Sequence, residues 1–213
     1  MSFATWLAFF AASWAISFSP GPGAISAMAS GLKHGFRRGY WTTCGLEIGL
    51  LIQFLVVAVG LGALLAASEV AFGVVKWLGV GYLVYLGWRQ FRTDAAPVPV
   101  AAAKGGHFHV RELIVRGCLV NITNPKGTVF LLAVVPQFLD PGRPLALQYV
   151  TIAATLVFTD LVAMGFYTSL ASRLLKLLRS PRHIRWLNRG FGALFILAGT
   201  ALATLSHHVD DPS

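Results

Sequence analysis

The chain has 213 residues, of which 56% are hydrophobic and only 12% charged, with a mean hydropathy of +0.68. An ordinary soluble domain carries about 25% charged residues, so this composition excludes a soluble enzyme, a disordered tail and a secreted disulfide scaffold. The net charge of +9 does not point to nucleic acid, because basic residues in so apolar a chain belong in cytoplasmic loops.

A spanning helix takes about 20 apolar residues, and charges mark out roughly six such spans. Met1–Leu32 has no charge at all. It lacks a basic start and is too long for a signal peptide, so it reads as a retained first span. The second span, Ile48–Ser68, follows Glu47. A third, about Val70 to Trp88, is interrupted by Lys76, which can snorkel to the interface. Asp94–Gly106, rich in Ala, Pro and Val, reads as a linker. The fourth span runs from about Leu113 to Leu139 and contains Lys126; the fifth, about Leu145 to Ser172, contains Asp160; the last is Gly190–Val209. The fold expected is an all-α integral membrane protein. It is a single transport domain of six transmembrane helices, arranged as two inverted three-helix repeats. Repeat one covers about 1–92, the linker about 93–107 and repeat two about 108–209.

Lys33, Arg37 and Arg38 follow span one. Arg89, Arg92, Lys104, Arg111 and Arg116 lie in or beside the linker, and Arg173, Lys176, Arg179, Arg182, Arg185 and Arg189 follow span five. These alternate loops hold 14 of the 17 basic residues, and the positive-inside rule then places both termini outside the cytoplasm.

Two breaks lie in apolar surroundings: Ser19-Pro20-Gly21-Pro22-Gly23 in span one and Asn124-Pro125-Lys126 in span four. Hydrocarbon cannot satisfy the carbonyls that a break frees, so such backbone must face protein or a water-lined cavity. Broken helices at corresponding places in two halves mark a transporter with inverted repeats and a site near the midplane. The alternative is that each proline only kinks its helix. Lys126 and Asp160, opposite in sign and far from the loops, read as a buried pair on the substrate path or as a structural pair. Glu47 belongs either to that pathway or to an interfacial contact with Arg37 or Arg38. Gly45 and Gly49 are spaced for close helix packing, whereas Gly31, Gly35 and Gly39 fall in or beside a loop. Cys44 and Cys118 have no metal-ligand spacing.

Taken together, several motifs resemble the LysE/RhtB family of bacterial amino-acid exporters, including its threonine and homoserine branch. They are Ser19–Gly23, Gly35-Phe36-Arg37-Arg38-Gly39, Tyr82–Trp88, Asn121, Asn124-Pro125-Lys126-Gly127 and Val135-Pro136-Gln137-Phe138. Arg185-Trp186-Leu187-Asn188-Arg189 continues the match. The resemblance implies a multi-pass inner-membrane protein that exports small amino acids or their derivatives, driven by the proton gradient. It implies no cofactor and no nucleic-acid partner, with membrane lipid around it and a homo-oligomer as one assembly. Gly23 stands where many relatives have asparagine. A thiol relay through Cys44 and Cys118, a metal-ion exporter and an intramembrane enzyme are the competing readings.

Overall fold

The computed structural model describes residues 1–92 and 109–171, with scattered positions between 182 and 200. The linker at 93–107, most of the arginine-rich stretch before the last span and most of that span lie outside the described residues.

Helix α1 is Phe3–Phe18, capped by the Ser2 side chain, which accepts from Thr5 N. Helix α2 is Pro22–Ala67 and α3 is Glu69–Arg92. Helix α4 is Val110–Ile122, α5 is Pro125–Val134, and a 3-10 turn follows at Val135–Phe138. Helix α6 is Leu145–Ser169. The described residues form an all-α protein, with no strand among them.

Helix α2 is two legs joined at Gly35, whose φ of 73° breaks the helical path. That left-handed angle costs a residue with a Cβ, and glycine adopts it freely. The legs fold back on each other: Thr42 Oγ1 donates to Ser30 Oγ at 2.8 Å. A Cβ on Gly39 would come within 2.8 Å of the Ser30 backbone. The polar loop expected around Lys33–Gly39 is therefore helical on both sides of a one-residue turn. At this turn, burial and the charges of Lys33 and Arg38 hold the His34 imidazole below its ordinary range, while Glu112 of α4 acts in the opposite direction.

The second leg, residues 36–67, packs on α4 at glycine distance. A Cβ on Gly45 would strike the Ile114 carbonyl, one on Gly49 would lie 2.6 Å from Cys118 O, and one on Gly117 would meet Thr42 O. Because these contacts advance together along both helices, the leg and α4 run parallel. The Gly45 and Gly49 spacing thus serves packing, as expected. Gly31, set aside as a loop residue, also packs closely: a Cβ there would strike Thr168 O of α6.

Helix α1 lies along α6. Trp6 Nε1 donates to Thr155 Oγ1 at 3.1 Å near one end, and Tyr167 OH donates to Phe18 O at 2.6 Å near the other. The core is in two clusters. Phe9, Phe54, Phe130, Phe138 and Ile152 belong to the first, and Ala27, Met28, Leu46, Ala163 and Met164 to the second. Val56, Val59, Leu147 and Val150 instead point outward and are largely exposed. Apolar surface of this kind suits lipid rather than water.

By length and composition, Pro22–Leu64, which the turn at Gly35 folds into two legs, and Leu145–Ser169 are each long and apolar enough to cross a membrane. So is Val110–Ile122 with Pro125–Phe138, if that pair, bent by 54°, is one span. The helix of span four begins earlier than Leu113: α4 starts at Val110, and Arg111 and Glu112 stay exposed in its first turn.

Candidate functional site

Both expected breaks are true interruptions of the helix. Ser19 is extended, with φ −74° and ψ 116°, and Pro22 opens α2 at a first-turn position, where its missing N–H costs nothing. At the second break, Asn124 caps α5 by accepting from Lys126 N at 3.1 Å, and Pro125 again opens the new helix. Pro22 and Pro125 therefore each start a helix rather than kinking one, and Pro20 lies in the non-helical stretch between α1 and α2.

The freed carbonyls are answered by side chains from other helices. Tyr167 takes Phe18 O, and Lys126 Nζ donates to Ser19 O at 2.8 Å. Gln53 Nε2 has three acceptors within reach, Ile122 O and Asn124 O at 3.2 Å each and Thr128 Oγ1 at 2.7 Å, which its two N–H groups share. Asn121 Nδ2 donates to Leu46 O at 2.7 Å and ties α4 to α2. This meets the requirement that non-helical backbone at membrane depth find partners within the protein.

Lys126 also joins the breaks, since it belongs to the second and binds a carbonyl of the first. Between them is a cavity of about 70 Å³. Ser19, Gly21, Gly23, Asn124, Lys126 and Asp160 line it, and Leu46, Phe130, Leu156 and Met164 supply apolar wall from both core clusters. Pro20 and Pro22 shape the adjoining backbone, and Pro125 shapes the facing one.

Lys126 and Asp160 share this wall and interact electrostatically. They do not form a direct ion pair: the pair within 4.0 Å among the described residues is Asp140–Arg143, in the loop before α6. Glu47 is 6% exposed and not interfacial. It faces Asp160 rather than Arg37 or Arg38. Among the described residues, no donor reaches either Glu47 oxygen.

Gln53 and Tyr167 were not anticipated from the sequence. A glutamine inside the uncharged run Ile48–Ser68 was the available signal for the first; an intramembrane tyrosine gives none by itself. Cys44 and Cys118 are free thiols, and among the described residues neither lines the cavity.

Replacing Gln53 by methionine keeps the bulk and removes the donor. We expect a loss of about 1–3 kcal/mol for the orphaned carbonyls, read as a lower midpoint of thermal aggregation in detergent. An unchanged midpoint would show that the carbonyls find other partners.

Among characterised and uncharacterised relatives, the homoserine/homoserine lactone efflux protein of Salmonella typhi is 37% identical over 211 residues, covering 97% of this chain and all of that protein. The protein of the same description from Salmonella typhimurium is 38% identical with the same coverage. A leucine efflux protein of Enterobacter sp. is 27% identical over 188 residues, covering 87% of this chain and 89% of that one. No solved structure matches the chain. The LysE type translocator family matches residues 14–206, nearly the whole sequence, and with two interrupted helices meeting at one charged cavity the chain belongs to that family.

Proposed function

We propose that the protein exports small amino acids across the bacterial inner membrane, and that the cavity between the two breaks holds them as zwitterions. The observation that carries this reading is the placement of Lys126 and Asp160 on one wall without direct ion pairing. A substrate carboxylate can take Lys126, and its ammonium can take Asp160. Each charge then gains a partner in a site poor in water, where an unpaired charge is costly. The efflux of homoserine and of leucine named for its relatives supports the same substrate class. A cavity without either cysteine on its wall favours this reading over a thiol relay.

The six spans form two inverted repeats, about 1–92 and about 108–209. Helix directions support this: α1 lies along α6, whereas α4 runs with the second leg of α2, so the first helices of the two halves start from opposite ends. The Gly35 turn, with Lys33, Arg37 and Arg38, sits beside the start of α4 with Arg111. A single basic end of this kind supports a cytoplasmic location for it and periplasmic termini. Export is driven by the proton gradient.

The test is a tolerance panel. Cells expressing the chain are challenged with growth-inhibiting homoserine, threonine, leucine, transition-metal salts and thiol oxidants. Several-fold higher tolerance to one or more amino acids, lost when a protonophore is added to everted vesicles loaded through the same protein, is the expected result. Tolerance gained only against metals or oxidants would overturn the reading.

A further inference from the structure

The mechanism outlined above uses Lys126 and Asp160 and leaves one buried ionisable group unexplained. Glu47, on the second leg of α2, is 6% exposed, and no donor among the described residues reaches either of its oxygens. A carboxylate in that position would be an uncompensated buried charge, which proteins avoid. Among the described residues, no cation is set against it. The Asp160 carboxyl faces it from α6, and Cys44 lies beside it on its own helix. Tyr40 is a further neighbour. Lys126 and Tyr167 face Asp160 instead, and Ser17 of α1 also reaches Asp160.

We propose that Glu47 is a positioning residue that stays protonated and donates its O–H to the Asp160 carboxylate. This inference rests on the reading of Asp160 as the partner of the substrate ammonium. Two facing carboxylates cannot both ionise in such a place. A neutral Glu47 leaves one anion, Asp160, on the cavity wall, balanced by Lys126. The donated hydrogen bond turns the acid into a prop for that anion, fixing one Asp160 oxygen and leaving the other to meet the ammonium. When a zwitterion binds, its two charges match Lys126 and Asp160, and the site stays neutral overall. Ionised Glu47 would add a second negative charge and push Asp160 out of place.

The experiment compares wild type with Glu47→Gln and Glu47→Ala in everted vesicles at matched abundance, across a pH range. It is paired with infrared spectra of the purified full chain in detergent. Glutamine is neutral and keeps an N–H donor. Glu47→Gln should thus export homoserine at a rate within about twofold of wild type. Glu47→Ala should be lower on the order of tenfold, the loss of one hydrogen bond to a charged group. The spectrum of wild type near neutral pH should contain the carbonyl stretch of a protonated buried carboxylic acid, absent from Glu47→Gln. Glu47→Gln as inactive as Glu47→Ala, Glu47→Ala as active as wild type, or no difference between the two spectra would each overturn the proposal. The spectrum needs no substrate. A wild type that exports no amino acid but retains the Glu47 band would therefore count against the export reading and leave the protonated Glu47 standing.

Discussion

Replacing Gly45 by valine should remove most of the protein from the membrane fraction. At Gly45 a Cβ already strikes the Ile114 carbonyl, with the Ile114 carbonyl carbon at 2.8 Å and its Cα at 2.9 Å. These are backbone atoms of α4, so no side chain can swing aside. Helices α2 and α4 would have to separate, and the cavity wall would move with them, because Leu46 and Asn121 are joined across this interface. Within a bilayer, association of helices relies on close packing of this kind, since lipid is as apolar as leucine. Overpacking costs about 1–3 kcal/mol and more where nothing can give, enough to lower abundance by about tenfold. Gly60→Ala is the control, as a Cβ there meets nothing within 4 Å among the described residues. An immunoblot of membranes with equal amounts of Gly45→Val and wild type would refute the close packing.

Lys126→Met and Asp160→Asn should each reduce export by about a hundredfold, in line with truncating one side of a buried charge pair. Both proteins should still reach the membrane. Lysine to methionine retains the length of the side chain and removes both the ammonium and the donor to Ser19 O. Because Lys126 and Asp160 do not pair directly, the double variant should remain as inactive as the singles. Were they partners only for each other, removing both would relieve the isolated charge, and export would return. Measured rates in vesicles, normalised to abundance, separate the outcomes. Export by the double variant at near wild-type rates would show a purely structural pair and would remove both residues from the substrate path.

The positions of the breaks could be read from residues alone, because proline and glycine act locally. Pro22 and Pro125 cannot donate to the preceding turn, and each opens a new helix as the backbone chemistry requires. The apolar runs within Pro22–Leu64 and Leu145–Ser169 were equally legible, since hydropathy depends on composition over a window. Other features depended on distant parts of the chain. Gly31 looks like a loop residue until α6 is placed against it. Glu47 could be read either as part of the pathway or as interfacial, because Arg37 and Arg38 are near in sequence; the turn at Gly35 and the packing of α6 bring it to Asp160.

What the sequence by itself determined was an all-α membrane protein, its two interruptions and the residue types at them, because these follow from the solvation of side chains and from local backbone freedom. Only the tertiary structure decided which groups answer the freed carbonyls. Gln53, Tyr167 and Lys126 reach backbone that is 69 to 149 residues away along the chain. It also decided that Lys126 and Asp160 share a cavity without direct ion pairing and that Glu47 stands behind Asp160. Hydrogen bonds and charge interactions are fixed by distance and direction in space, and these are set only when the helices pack.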